Sequence, residues 1–225
     1  IRCRDRHAEF IVTVAADAQP SAAASSLDQR VRAELVRTAY YDALYGAPFG
    51  MVVALLFGYA IMDAFPVRVV LPWLAVTLAC NLIRLLSRWA YFRKPVPPEH
   101  TGRWEQLFVA VSAASASTWG LGAWLFYTPH DSIFRVMVVL VLAGLTTGAS
   151  RLLAPIRAAN LSYVYFSVGP MMARVLITPD TRSYILGAMC VLYLIYISVA
   201  ARQQTRTLQR TVRLGLENAE LVGSL

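Results

Sequence analysis

The sequence predicts an all-α, polytopic integral membrane protein with a bundle of six transmembrane helices. Hydrophobic residues make up 57% of the 225-residue chain and charged residues only 15%, whereas soluble domains usually contain about 25% charged residues. The apolar residues are also gathered into long runs between Ala47 and Ala201, with the charges between the runs. These runs have lengths close to the roughly 20 residues that a helix needs to cross a bilayer.

The first 45 residues precede these runs and are predicted to form two segments. Residues 1–25 combine charged residues, a short apolar stretch and a linker of small residues, so we expect a weakly structured leader. Residues 26–45 are predicted to form an amphipathic helix at the cytoplasmic membrane surface. Val31, Leu35 and Ala39 recur there at helical spacing, opposite Arg30 and Arg37. This helix leads into the first span.

The membrane bundle is predicted for residues 46–201. Prolines and charged residues separate its apolar segments, because proline cannot continue a helical hydrogen-bond ladder and charges are costly in hydrocarbon. The six predicted spans are residues 46–65, 67–86, 107–126, 133–153, 159–177 and 184–201.

The distribution of basic residues predicts that both chain ends lie in the cytoplasm. Basic residues concentrate before the first span, between spans two and three, between spans four and five, and after span six. The other three connections hold one arginine each: Arg68, Arg135 and Arg182. Cytoplasmic loops carry the excess of lysine and arginine in membrane proteins. An even number of spans puts all four basic-rich segments on that side.

Residues 202–225 are predicted to continue the sixth span as a cytoplasmic signalling helix, the start of a coiled coil. Leu208, Val212, Gly215, Ala219 and Val222 fall at alternating heptad seam positions. A seam of this kind pairs with a second helix. We therefore expect a homodimer through this helix, with membrane lipid as the other partner.

Several function classes lack their sequence signals. The chain contains no catalytic motif and no cysteine–histidine cluster, so we predict no enzymatic activity in this segment, no cofactor and no metal site. The net charge of +8 comes from arginines between apolar runs, which does not predict a nucleic-acid surface. Acidic residues are absent from the middle of every predicted span, which argues against a proton-coupled transporter.

Polar residues inside the predicted spans are candidates for sensing a signal. Asn81 is expected to hydrogen-bond a neighbouring helix, and Arg84 to extend along span two to the cytoplasmic surface. Arg174, near the outer end of span five, is expected either to anchor at the interface or to contact an anion or a lipid headgroup. Each of these residues therefore has a structural and a ligand-binding interpretation.

Small residues in spans three and four form a second set of candidates. Thr118 and Trp119 follow a run of serines and alanines, and Gly144, Thr147 and Gly148 belong to a G-x-x-x-G motif. Small residues allow close helix packing, so this surface could form a contact inside the bundle, a dimer face or a small-molecule crevice. The aromatic residues expected to form a belt at the outer interface are Trp73, Trp119, Trp124 and Tyr127.

Five short motifs relate these helices to a known family. They are NLIRLL at residues 81–86, RWEQLF at 103–108, STWGLGAWLF at 117–126, VLAGLTTGA at 141–149 and RLGLENAEL at 213–221. With these motifs, residues 27–225 resemble the six-helix membrane sensor region that begins many bacterial sensor histidine kinases and GGDEF diguanylate cyclases. In that family a helix similar to residues 213–221 leads directly into the catalytic or dimerisation module.

The resemblance implies a sensory input domain in the bacterial cytoplasmic membrane, acting in a two-component or cyclic-dinucleotide system. It would pass a signal through the sixth helix to a C-terminal output module, whose motifs these residues do not contain. Two alternatives remain open: a small membrane transporter or channel, and a partner-binding membrane scaffold. A continuous polar path and paired internal repeats would favour a transporter, whereas an anchor would need only one or two spans.

Overall fold

The computed structural model of the protein describes residues 2–93, 100–128, 132–178 and 181–223. Its side chains are described for residues 27–93, 100–128, 133–178, 183–219 and 221–222. Six helices and no strand occur in the described ranges, which confirms the predicted all-α class. The helices are α1 (Arg2–Ile61), α2 (Val67–Arg93), α3 (Thr101–Phe126), α4 (Ser132–Leu152), α5 (Arg157–Leu176) and α6 (Thr181–Gly223).

Five of the described helical segments are long and apolar enough to cross a membrane, and five of the six predicted spans fall on them. The segments are Leu27–Ile61, Val67–Arg93, Thr101–Phe126, Ile133–Leu152 and Ser183–Ala219. α5 is not among them. It packs against α3, α4 and α6, and it carries polar residues such as Asn160 and Ser167 that are buried against these neighbours. A count of six spans therefore stays a prediction.

The longest helices extend the predicted bundle at both chain ends. α1 is continuous through Gly46, so the predicted surface helix and the first span form one helix. α1 also runs through residues 2–25, the predicted leader, whose side chains lie outside the description. α6 is likewise one helix that contains both the sixth predicted span and most of the predicted signalling helix.

Two of the hydrophobic clusters that hold the bundle together are built around aromatic rings. The aromatic cluster consists of Phe57, Trp73, Trp119 and Phe126, whose rings meet mostly edge to face, with Trp73 at its centre and centroids 5.2–5.6 Å from its three partners. The Tyr40 cluster consists of Tyr40, Tyr91, Trp104 and Phe108. There the ring of Tyr40 stacks on that of Tyr91 at 4.4 Å.

The predicted outer aromatic belt is wrong for three of its four members. Trp73, Trp119 and Tyr127 are each less than 5% exposed, whereas Trp124 is 37% exposed. Periodicity in an apolar span does not distinguish a lipid-facing face from a face buried against other helices, because both are hydrophobic. The indole of Trp73 also donates a hydrogen bond to the Thr118 carbonyl at 2.8 Å, so its polar atom does not need the interface.

Two glycines bring α3 close to its neighbours, and they are not those of the predicted G-x-x-x-G motif. A Cβ on Gly120 would collide with the backbone carbonyl of Phe166 on α5, and a Cβ on Gly122 would lie 2.5 Å from Trp73 Nε1 on α2. By contrast, a Cβ on Gly144 or Gly148 would meet no atom within 4 Å. That pair does not make the packing contact inside the bundle that the motif suggested.

The basic segments meet at one end of the bundle. Arg32, Arg157 and Arg206 come from three different helices and line the same cleft. Arg32 Nε also pairs with Glu105 at 2.6 Å, which joins the middle of α1 to the start of α3. Lys94 and the side chain of Arg182 lie outside the described residues. We refer to this end, which also contains the Tyr40 cluster, as the basic end.

Candidate functional site

A cavity of about 230 Å³ lies inside the bundle where the two hydrophobic clusters approach each other. Trp119 of the aromatic cluster and Tyr163, which packs in the Tyr40 cluster, both line it. Asn81 and Arg84 of α2 supply polar lining, and the side chain of Phe49 supplies apolar lining from α1. The cavity therefore combines an apolar wall with a guanidinium and an amide.

Arg84 is the unusual member of this site. It is 5% exposed, its Nε has no hydrogen-bond partner, and no ion pair among the described residues includes it. The ring of Phe108 lies beside it, with its centroid 5.8 Å from the guanidinium carbon, and Tyr163 lines the same cavity. A buried charge without a counter-charge is costly, so a site of this kind suggests a function.

The expectation that Arg84 reaches along α2 to the membrane surface is wrong. Thr77, Asn81 and Arg84 share the buried face of α2, at spacings of four and three residues. Residues at these spacings lie on one side of a helix, and that side of α2 faces the bundle. The position of Arg84 near the helix end allowed an exposed side chain, but the orientation of α2 turns it inward.

Asn81 is also held differently from the prediction. Its Nδ2 donates to the carbonyl of Thr77 at 2.9 Å, within its own helix, instead of bonding a neighbouring helix. Its Oδ1 faces α1, because a Cβ on Gly50 would lie 3.1 Å from it. The absence of a side chain at Gly50 thus makes room for the amide at the edge of the cavity.

Other buried polar atoms near this half of the bundle lack partners. They are Arg88 Nε on α2, Ser112 Oγ on α3, Ser150 Oγ on α4 and Asn160 Oδ1 on α5. Asn160 is held in place by its Nδ2, which donates to the carbonyl of Ser150 at 2.9 Å. We call Asn81, Arg84, Ser112, Ser150 and Asn160 the polar region. The unpaired atoms of Arg84, Ser112, Ser150 and Asn160 are uncommon, because buried polar groups normally have partners.

Of the residues predicted from the sequence, the structure brings three together. Asn81, Trp119 and Gly148 all line the cavity. Thr118 is buried next to Trp119, but its hydroxyl donates to the Ser115 carbonyl at 2.8 Å and is therefore occupied. The Thr118 carbonyl accepts a hydrogen bond from Trp73, which packs against Trp119 but does not itself line the cavity.

The remaining predicted residues lie elsewhere. Gly144 is exposed and does not line the cavity. The hydroxyl of Thr147 lies 3.1 Å from that of Tyr193, which links α4 to α6. Arg174 lies on α5, with its guanidinium carbon 5.8 Å from the ring centroid of Trp124. That pairing fits an anchoring role, and it is separate from the cavity.

A chain of contacts connects the cavity to α6. Leu152 lines the cavity at the end of α4, and the turn that follows it includes the buried Leu153 and Ala154. The hydroxyl of Thr205 on α6 donates to the Ala154 carbonyl at 2.8 Å, with the Ala201 carbonyl of its own helix at 3.0 Å. Thr205 is 3% exposed, so this hydrogen bond is shielded from solvent. Nothing in the sequence around Thr205 distinguished it from its neighbours.

Beyond Thr205, α6 leaves the bundle. Leu208 and Val212 are half-buried, whereas Gly215, Ala219 and Val222 are exposed. Arg213 keeps one contact with α1, since its guanidinium lies 3.9 Å from the carboxylate of Asp28. The predicted seam is therefore largely open over its last turns, and its pairing in a homodimer stays a prediction.

Comparisons with known proteins do not assign this chain to a family. No family model, curated protein or solved structure matches it. The resemblance to sensor regions of kinases and cyclases thus stays a prediction from the five sequence motifs.

Proposed function

We propose that this chain is the membrane-embedded input domain of a bacterial signal-transduction protein, either a histidine kinase or a diguanylate cyclase. The observation that supports it best is the course of α6. This single helix is part of the bundle at Cys190, Leu194 and Ala201, which are buried, and it then continues beyond the bundle to Gly223. Such a helix can carry a displacement out of the membrane.

The mechanism that we propose uses the contact chain described above. A ligand in the cavity would contact Leu152 at the end of α4 and shift the turn that follows. Thr205 is bonded to that turn at Ala154, so the shift would tilt or rotate α6. A ligand changes such an equilibrium only by binding one of two states more tightly. The exposed part of α6 would then transmit the difference.

The proposed location is the cytoplasmic membrane of a bacterium, with the basic end in the cytoplasm. The clustering of Arg32, Arg157 and Arg206 at one end supports this orientation, because positive charge is enriched on the cytoplasmic side. In this orientation both chain ends are cytoplasmic and six helices cross the bilayer, α5 as a helix shielded by its neighbours. The exposed end of α6 would meet an output module there, paired with a second copy.

A fusion experiment tests this proposal. The output part of a dimeric histidine kinase is joined in register after Leu225, and one, two, three, four or seven residues are inserted after Gly215. One inserted residue rotates a helix by about 100°, and seven restore a heptad phase. We expect kinase activity to vary with the phase and to recover with seven residues.

The control is the same insertion series placed after a flexible glycine–serine linker that follows Leu225. That series should not show periodic activity, because a flexible linker does not transmit rotation. Equal activity in all fusions with the uninterrupted helix would contradict transmission through α6.

A further inference from the structure

The cavity around Arg84 has a chemical character that identifies a class of ligand. We infer that it binds a carboxylate carried on a short aliphatic chain, with the carboxylate on Arg84 and the chain against Phe49 and Leu152. The inference rests on the proposed function only where the ligand is treated as the signal. Binding itself needs nothing beyond the bundle.

The charge of the ligand follows from Arg84. The guanidinium is buried, its Nε has no partner, and no described carboxylate pairs with it. A planar guanidinium binds a carboxylate through two parallel hydrogen bonds. An anion would thus supply the missing counter-charge, whereas a cation would be repelled. Asn81, beside Arg84 on the same wall, adds an amide that can hydrogen-bond a carboxylate oxygen.

The rest of the wall indicates the body of the ligand. Phe49, Trp119 and Leu152 line the same cavity and offer only hydrocarbon and aromatic surface, apart from the indole N–H. Its volume of about 230 Å³ is below the roughly 300–1,000 Å³ of pockets for drug-sized ligands. A diacyl lipid is too large for this space. One cation among apolar residues fits a singly charged head better than a doubly charged phosphate.

The route to the cavity leads from the bilayer. Tyr45 and Phe49 line the cavity and are also 59% and 63% exposed on the outside of α1. Gly46 and Gly148, on α1 and α4, also line it and have no side chain to close it. A fatty acid in the membrane could enter between these two helices, because its neutral form dissolves in hydrocarbon and its ionised form pairs with Arg84.

Calorimetric titration of the 225-residue chain tests this inference. The protein is placed in phosphatidylcholine nanodiscs and titrated with sodium octanoate, with empty nanodiscs correcting for partition into lipid. Octanol has the same eight-carbon chain but no charge. Octyltrimethylammonium has the same chain but a positive charge. We expect saturable binding of octanoate only, since the head must pair with Arg84. Equal binding of octanol would overturn the inference.

Two pairs of variants localise the binding. Arg84→Met removes the guanidinium in the cavity. Its control, Arg88→Met, removes a guanidinium one turn away that lies over the ring of Phe92 at 5.2 Å and does not line the cavity. We expect about thirtyfold weaker octanoate binding for Arg84→Met, the typical cost of truncating one partner of a buried charge pair. Arg88→Met should bind as the unmodified chain does.

The second pair keeps the test decisive if Arg84→Met does not fold. Gly148→Leu places a side chain at the cavity, and Gly144→Leu places the same side chain one turn away on α4, outside it. Neither glycine has a neighbouring atom within 4 Å of a Cβ, so both variants should fold. We expect octanoate binding to be lost in Gly148→Leu and kept in Gly144→Leu; equal binding by both would overturn the inference.

The two proposals fail separately. If octanoate does not bind but the fusions show phase-dependent activity, the signalling proposal stands and the ligand class is wrong. If octanoate binds through Arg84 but no fusion responds to helix phase, the site stands and the chain is a carboxylate-binding membrane protein without this mode of transmission.

Discussion

The aromatic cluster and the polar region are both buried, but their polar atoms are in opposite situations. In the aromatic cluster, the indole N–H of Trp73 donates to the Thr118 carbonyl at 2.8 Å. In the polar region, Arg84 Nε and Ser112 Oγ have no partner. A buried polar group without a partner costs about 1–3 kcal/mol, and a charged group costs more. One region stabilises the bundle, and the other opposes its stability.

The packing of the two regions differs in the same direction. Trp73 packs tightly against α3, since Gly122 must lack a side chain for the indole to fit. Around Arg84 there is a cavity of about 230 Å³. Destabilising groups next to open space are typical of sites that are kept for binding. The difference indicates that function should be sought near Arg84 and that the aromatic cluster serves as its support.

The largest expected effect comes from filling the tightest contact beside the aromatic cluster. Gly120→Ala would drive a methyl group into the Phe166 carbonyl, and overpacking against a backbone cannot be relieved by a rotamer change. We expect a loss of about 3 kcal/mol in the free energy of unfolding. The measurement is thermal unfolding in one detergent. Gly144→Ala, the control, should keep or slightly raise the Tm, because its Cβ meets no neighbour.

A smaller loss is expected from Trp73→Phe. This change keeps an aromatic ring but removes the N–H that donates to Thr118, and it leaves space beside Gly122. We expect a cost of about 2 kcal/mol, from the lost hydrogen bond together with the space left behind. Denaturant unfolding followed by circular dichroism measures it. An unchanged midpoint would show that the aromatic cluster does not depend on this hydrogen bond.

A substitution in the polar region should raise the free energy of unfolding instead of lowering it. Arg84→Met replaces an unpaired buried charge by a hydrophobic side chain of similar length, so we expect the free energy of unfolding to rise by about 1 kcal/mol. Arg88 provides the control. Its Nε is also unpaired, but the side chain is partly exposed and lies over the ring of Phe92 at 5.2 Å, so Arg88→Met should leave the Tm nearly unchanged. If Arg84→Met lowered the Tm instead, the guanidinium would be a structural element and the comparison between the two regions would fail.

The hydrogen bond that connects the turn after α4 to α6 should contribute the least to the free energy of unfolding. Thr205→Val keeps the shape but removes the donor to the Ala154 carbonyl, at a cost of about 1 kcal/mol or less. In the kinase fusion, we expect this variant to lose its response to octanoate while its basal activity remains. Thr211→Val is the control, since the Thr211 hydroxyl donates to Thr207 on the exposed part of the same helix.

The five span-length apolar helices were predictable, because hydropathy depends on composition along a single segment. α5 was less predictable as a span, because the polar residues that it buries against its neighbours lower its mean hydropathy. In the site, Asn81, Trp119 and Gly148 were found as polar, aromatic or small residues in apolar spans. Thr205 could not be found this way, because its importance comes from a carbonyl 51 positions away in the chain.

The sequence by itself determined that this chain forms an all-helical bundle of membrane-spanning character, because long apolar runs with few charges can satisfy their backbone in a bilayer only as helices or closed barrels. It also concentrated arginine in the segments that meet at the basic end. The tertiary structure alone decided which face of each helix is inside. The rotation of a helix about its own axis cannot be read from any local property of the sequence. That rotation places Arg84 at the cavity instead of at the predicted surface, and Trp73 in the core instead of at the predicted interface.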